Sequence, residues 1–143
     1  SFIDIRDVIG VAKVYETYVG NKEFGLENET TRRIRQIGNE FGATTGRERQ
    51  INWLDLKMIK KSIKLNRPNI IVFNKVDVLR EANIWRIRNE KNGSVTFLSV
   101  QTAEQEFCDL IKHYVASLDS SIEVVFSDSA DSMKFLLPTV TAS

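Results

Sequence analysis

Between the helix-breaking Asn66-Arg67-Pro68 and the polar Asn74-Lys75-Val76-Asp77 lies a strand with no polar face. In Asn69-Ile70-Ile71-Val72-Phe73 four apolar residues follow one another without the alternation that a half-solvated strand requires. A strand of this kind is covered on both sides, which places it inside a sheet packed on both faces and argues for an α/β fold. Polar residues at the end of such a strand are a usual place for ligand contacts in α/β sheets.

The remaining segments fit that frame. Val8 to Val19 is β-branched and aromatic, with alternation emerging after Val11, and reads as one strand buried at its start. The turn Asn21-Lys22-Glu23-Phe24-Gly25 leads to a short helix within Glu27 to Phe41, with Ile34, Ile37 and Phe41 at helical spacing and Gly38 and Gly42 as stop signals. Trp53, Leu54, Leu56, Met58, Ile59, Ile63 and Leu65 mark an amphipathic helix whose lysines at 57, 60, 61 and 64 face water. Residues 84–88 and 94–100 alternate around an Asn92-Gly93 turn and predict a hairpin. Thr102, with Gln105 three residues on, is a candidate cap for a helix presenting Phe107, Leu110, Ile111, Tyr114, Val115 and Leu118. The run 121–126 is a last strand, followed by the polar Ser127-Asp128-Ser129-Ala130-Asp131-Ser132 and the apolar piece Met133 to Leu137. With no internal repeat and no visible boundary, residues 1–143 read as one mixed α/β domain.

Composition mainly removes alternatives. A net charge of +1 gives no electrostatic case for a nucleic-acid or membrane surface. The single cysteine, Cys108, and single histidine, His113, exclude a disulfide framework, a cysteine/histidine zinc site and most Ser-His or Cys-His catalysis within this chain. Both read as ordinary helix residues, a semi-buried thiol and a flanking imidazole. No apolar run reaches the roughly 20 residues of a membrane span, and no cleavable leader opens the chain, so a soluble, reducing, cytoplasmic setting is expected. The chain begins at Ser1 and enters an apolar stretch within a few residues, as a piece of a longer protein would.

Two loops carry chemistry. From Gly42 to Gln50, two glycines, two threonines and two arginines fall within nine residues. Glycine permits positive φ and close approach to a ligand, Thr44 and Thr45 donate and accept, and Arg47 and Arg49 present forks matched to carboxylate or phosphate. Such a loop suits a small anion, and the same composition also serves a solvated connection. In Asn74-Lys75-Val76-Asp77, a carboxylate can accept both the N1 hydrogen and the 2-amino group of guanine while the lysine stem lies along the base. The alternative is a capping or turn aspartate.

Gly38-Asn39-Glu40-Phe41-Gly42-Ala43-Thr44-Thr45-Gly46-Arg47, Trp53-Leu54-Asp55-Leu56, Val11-Ala12-Lys13-Val14-Tyr15, Val19-Gly20 and Lys75-Val76-Asp77-Val78-Leu79 together resemble the adenylosuccinate synthetase family, in its order and at nearly its spacing. The resemblance is dense from Val8 to Leu79, thins beyond, and covers only the carboxy-terminal half of a family member. It implies part of a P-loop-like, GTP-dependent ligase fold: a mixed sheet with flanking helices, whose amino-terminal half lies outside this sequence. The implied reaction moves the γ-phosphoryl of GTP onto O6 of inosine monophosphate and lets the amino group of L-aspartate displace it, with magnesium, in a cytoplasmic homodimer.

By the family pattern, Ala43, Thr44, Thr45, Gly46, Arg47, Glu48 and Arg49 would hold aspartate. Val19 and Arg47 would touch the monophosphate nucleotide, and Arg49, Lys75, Val76, Asp77, Ser127, Asp128 and Ser129 would line the GTP site. The phosphate loop, the catalytic aspartate and histidine, and most of the magnesium site belong to the amino-terminal half of the family. No catalytic or metal-binding residue is therefore expected in this chain.

The chain departs from the family at several points. Glu48, Arg49 and Gln50 stand where Pro-Arg-Arg is usual, and Asn21-Lys22-Glu23-Phe24-Gly25 replaces a Gly-Pro-Phe-Pro-Thr-like segment. Tyr18 replaces an arginine, Ser129 and Ala130 a Gly-Pro, and the segment between Leu79 and Thr102 is short. These leave as one alternative a compact viral relative that acts on deoxyguanylate with ATP; the absence of a triphosphate-cradling glycine loop from this sequence leaves another, a non-catalytic module that holds guanine nucleotide or a dicarboxylate.

Overall fold

A computed structural model of the chain describes residues 7–25, 27–88, 95–97 and 103–129. Its elements are β1 (Ile9–Lys13), β2 (Tyr15–Tyr18), α1 (Glu29–Ile37), β3 (Gln50–Asp55), α2 (Leu56–Asn66), β4 (Ile70–Asn74), α3 (Val76–Ala82), β5 (Arg86–Arg88), β6 (Val95–Phe97), α4 (Ala103–Leu118) and β7 (Glu123–Phe126). The apolar run becomes β4, the middle strand of a parallel sheet ordered β1-β4-β7. Ile71, Val72 and Phe73 are buried on both faces, and Phe73 stacks on Phe126 with ring centroids 5.6 Å apart. Fully burying such side chains contributes about 1.5–3 kcal/mol each. The parallel register, with Lys13 beside Asn74 and Phe126 beside Phe73, gathers the carboxyl ends of the three strands and delivers Lys75 and Ser127 to the same end of the sheet.

A second, mixed sheet is ordered β2-β3-β5-β6. The stretch read as one strand from Val8 to Val19 is thus two. The Val14 N–H still reaches the Asn74 carbonyl at 3.1 Å, but Tyr15 already pairs with Trp53 in the other sheet. Alternating side chains continue through the change of partner, so the pattern carries no sign of it.

Trp53 and Leu54 are also placed differently from the expectation. They lie in β3, paired with β2 and β5 and buried on both faces, and the helix starts only at Leu56. Asp55 makes the switch, its carboxylate accepting from the Lys57 N–H at 2.9 Å as the cap of α2. That helix buries Leu56, Ile59 and Ile63 but leaves Met58 and Leu65 exposed; Lys57, Lys61 and Lys64 face water and Lys60 is half-buried.

The short helix α1 is closed by a reciprocal box between Asn28 and Thr31. Helix α4 buries Ala103, Phe107, Ile111 and Val115, and Phe107 meets Trp85 at 5.3 Å. β5 and β6 pair antiparallel as the hairpin pattern predicts. Its Asn92-Gly93 turn, the Thr102 cap and the piece from Met133 to Leu137 lie outside the described residues.

Candidate functional site

The end of β4 is built as a sharp turn. Lys75 adopts a left-handed conformation, φ 67° and ψ 27°, as the residue preceding α3, and Asp77 falls in the first turn of that helix. The loop after β7 is stitched to it: the Ser127 N–H donates to the Phe73 carbonyl at 2.9 Å, and the Val76 N–H to the Ser127 carbonyl at 3.1 Å. Ser129 completes the contact, its hydroxyl donating to Asp77 Oδ1 at 2.6 Å. Lys75, Asp77, Ser127 and Ser129 are therefore brought together. Val76 is buried, and Asp128 turns away toward Arg80 at 3.5 Å. Ser127 Oγ, just past the end of β7, and Asn74 Oδ1, the last residue of β4, are buried polar atoms with no hydrogen-bond partner among the described residues.

The arginine loop is closed by its backbone. The Gly42 N–H donates to the Arg47 carbonyl at 2.7 Å, the Gly46 N–H to the Gly42 carbonyl at 2.9 Å, and Phe41 bridges to Glu48. Gly46 sits at φ 67° with nothing near its absent Cβ, a turn position where a side chain would strain the backbone rather than clash. Ala43 to Glu48 are exposed, and the Thr45 hydroxyl oxygen accepts from the Arg47 N–H at 3.3 Å. Arg47 Nη2 donates to the Gly20 carbonyl at 3.0 Å and to Asn21 Oδ1 at 2.7 Å, which draws the exposed Val19 to the rim of the loop.

The departures from the family pattern have partners in the fold. Glu48 lies 3.8 Å from Arg35, whose buried guanidinium also binds Glu27 and donates to the Arg49 carbonyl at 2.9 Å. The added negative charge thus faces a cation outside the loop. Gln50 accepts from the Phe24 and Gly25 N–H groups at 2.8 and 2.9 Å and donates to the Lys22 carbonyl at 2.7 Å. It organises the altered 21–25 segment.

The residue that sequence reasoning missed is Glu40. Its carboxylate is 0% exposed and receives Tyr15 Oη at 2.6 Å, Arg49 Nη1 at 2.8 Å, Lys13 Nζ at 3.1 Å and Lys75 Nζ at 3.2 Å. Three cations facing one carboxylate leave an excess of two positive charges, a field suited to anionic ligands. Burial pushes the Glu40 carboxyl up, but the Tyr15 hydrogen bond and the Lys13 and Lys75 charges outweigh it and hold the group below its ordinary value. Burial, and then Glu40, push the Tyr15 hydroxyl up. Burial lowers Lys13 against the opposing pull of Glu40.

Gly38 makes the cluster possible. A Cβ there would lie 2.5 Å from Tyr15 Oη, and the Gly38 carbonyl accepts from Lys75 Nζ at 3.0 Å. The partners of Glu40 are 9 to 35 residues away in the chain, so no local spacing signals the cluster. The one available sign was an acidic residue set between glycines beside an arginine loop.

His113 is exposed on α4 with Nδ1 2.7 Å from the Asp109 carbonyl, and Cys108 is half-buried in the same helix.

Comparison with known proteins identifies one family. The adenylosuccinate synthetase family model matches residues 1–125. Among curated relatives, the adenylosuccinate synthetase of Finegoldia magna is 46% identical over 78 residues, 53% of this chain and 19% of that protein. The adenylosuccinate synthetase of Geobacter sp. (strain M21) is 42% identical over 109 residues, 75% of this chain and 25% of that protein. The fully ligated adenylosuccinate synthetase structure from Plasmodium falciparum aligns with a TM-score of 0.56 at 25% identity, covering 84% of this chain and 36% of that one. The chain thus spans about a quarter or less of the length of these curated relatives.

Proposed function

Since the chain belongs to the adenylosuccinate synthetase family, a ligase family of purine biosynthesis, we propose that it supplies the aspartate loop and the guanine loop of an enzyme joining L-aspartate to inosine monophosphate with hydrolysis of GTP. The observation that carries this reading is the meeting of Arg49 and Lys75 on the buried Glu40 carboxylate. It sets an exposed, arginine-bearing loop beside a strand end bearing Asp77 and Ser129.

The roles follow from the chemistry of each group. Thr44, Thr45 and the backbone N–H groups of Ala43 to Thr45 donate to the aspartate carboxylates, Arg47 and Arg49 add charge-assisted bonds, Gly46 supplies the turn, and the α-amino group is left to face the purine. Arg47, tied to Gly20, also reaches the monophosphate nucleotide together with Val19. Asp77 accepts from guanine N1–H and the 2-amino group, Lys75 lends its stem to the base, and Ser127 to Ser129 close the side of the pocket. The γ-phosphoryl passes to O6 of inosine monophosphate, and the aspartate nitrogen then bonds to C6 as phosphate leaves. Phosphoryl transfer depends on groups that position and neutralise the phosphates, and these are assigned to the rest of the protein.

Among the described residues no group of three His, Cys, Asp or Glu side chains could hold a metal ion. In this reading magnesium arrives with the triphosphate, whose phosphates supply part of its ligand set, and the rest of the protein holds it. The same reading carries a cytoplasmic homodimer, with residues 1–143 as one α/β unit of it. Among the described residues no helix is long and apolar enough to cross a membrane.

The test is product formation by the full-length protein containing this chain, given aspartate with inosine monophosphate and GTP, or with deoxyguanylate and ATP. Adenylosuccinate from the first mixture is the expected result. Product from the second alone identifies the deoxyguanylate-type enzyme, and binding without product in either identifies a nucleotide- or dicarboxylate-holding module.

A further inference from the structure

Glu40 has no accessible surface, so it can touch no ligand, yet it contacts a cation from each of the two ligand loops. Oε1 takes Arg49 at 2.8 Å, and Oε2 takes Lys75 at 3.2 Å along with the Tyr15 hydroxyl at 2.6 Å. Lys13 spans both oxygens at 3.1 and 3.2 Å. A carboxylate offers about four lone-pair sites, and these five contacts fill it. Arg49 and Lys75 keep 30% and 19% of their side-chain surface open, so ligands can reach them where they stand.

We propose that Glu40 is a positioning residue that couples the two loops, so that a nucleotide engaging Lys75 tightens the dicarboxylate site around Arg49. The inference rests on the ligase reading for the identity of the two ligands. Its physical content is competition for one acceptor. When a base settles along the Lys75 stem and shifts its ammonium off Oε2, acceptor capacity on the Glu40 carboxylate is released to the remaining cations. Arg49 is then held more firmly by Nη1, with the rest of its fork aimed at the loop. Lys13, fixed by Thr17 at 3.0 Å, keeps the carboxylate neutralised throughout. Without Glu40, Arg49 and Lys75 would share no common partner and the loops would respond to their ligands separately.

The experiment measures aspartate affinity in the full-length protein by titration, with and without a saturating non-hydrolysable GTP analogue, in the parent, Glu40→Gln, Lys75→Met and Tyr15→Phe. The parent is expected to bind aspartate about 5-fold or more tighter with nucleotide present, the lower end of ordinary site–site coupling. Glu40→Gln keeps the shape but loses the charge, and Lys75→Met cuts the link from the nucleotide side. Both should bring the ratio to about 1. Tyr15→Phe removes a neutral hydrogen bond and leaves the three ion pairs, so its ratio should stay with the parent; a merely structural role would make it behave like Glu40→Gln. If Glu40→Gln does not fold, Lys75→Met against Tyr15→Phe decides the matter. A parent that binds both ligands with a ratio of 1, or variants that all keep the parent's ratio, would overturn the role of Glu40 alone. A parent that binds neither ligand overturns the ligase reading with it.

Discussion

The Ser129 hydroxyl donates to Asp77 Oδ1 at 2.6 Å, joining the turn after β4 to the loop after β7 across 52 residues of chain. The bond fixes the carboxylate plane and leaves lone pairs on both oxygens for a base, since a carboxylate has about four. Asp77→Asn in the full-length protein should therefore weaken GTP and favour xanthosine triphosphate. Xanthine replaces the 2-amino donor with a carbonyl that the carboxamide N–H can meet. The switch should exceed about tenfold, on the scale of about 1.5–3 kcal/mol for a hydrogen bond to a charged group. Donor competition among GTP, ATP and xanthosine triphosphate checks it, and a parent that prefers ATP with a variant indifferent to the base would contradict it.

The two loop arginines should separate on substitution. Arg47→Leu removes an exposed fork that holds Gly20 and Asn21, and should raise the aspartate KM by roughly 10- to 150-fold with little change in stability. Arg49→Leu should damage aspartate use as severely and also lower stability, because it strips one cation from the buried Glu40. Lysine should rescue either poorly, lacking the fork. Aspartate kinetics and melting temperatures in the four variants distinguish these outcomes from solvated loop arginines, which would leave both unchanged.

Glu40 should leave a signature in acid. Its folded-state pKa lies below the ordinary 4.5, so the unfolded chain takes up a proton first as pH falls. The stabilisation is fully present above about pH 4.5 and is lost as pH drops through the lower folded-state value. Denaturation midpoints of the full-length parent and Glu40→Gln, measured from pH 7 to 3, should converge below about pH 4.5. A gap that stays constant over that range would show that the carboxylate charge contributes nothing.

Cys108 should be a slow nucleophile. Burial, then the neighbouring Glu104 carboxylate, push its thiol up to about 11. At pH 8 the thiolate fraction is on the order of 100-fold below that of an ordinary cysteine near 8.5. Alkylation of the folded protein by iodoacetamide should lag an unfolded control accordingly, and equal rates would contradict the assignment.

What could be read in the sequence was what is local. β4 was legible because a run of apolar residues between a proline and a polar turn has one physical meaning, and α4 because Phe107, Ile111 and Val115 recur along one face. The division at Val14 was hidden, since a strand that changes sheets keeps its alternation. Trp53 and Leu54 match a helical stripe as well as a strand buried on both sides, and Asp55, the cap that separates the two, went unread. Helix α3, only seven residues long, was masked by the interest of Lys75 and Asp77. The loops were visible as composition, whereas Glu40 became meaningful only once folding gathered Lys13, Arg49 and Lys75 around it.

The account's central claim is that one edge of this fold holds a dicarboxylate on the arginine loop and guanine on Asp77. A crystal structure of the full-length protein with aspartate, inosine monophosphate and a non-hydrolysable GTP analogue tests it most directly. The prediction is an aspartate carboxylate within hydrogen-bond distance of the Thr44 to Arg49 loop, and guanine N1 and the 2-amino group on the Asp77 carboxylate, with Lys75 along the base. Ligands seated elsewhere, with Arg47, Arg49 and Asp77 facing only solvent and protein, would contradict it.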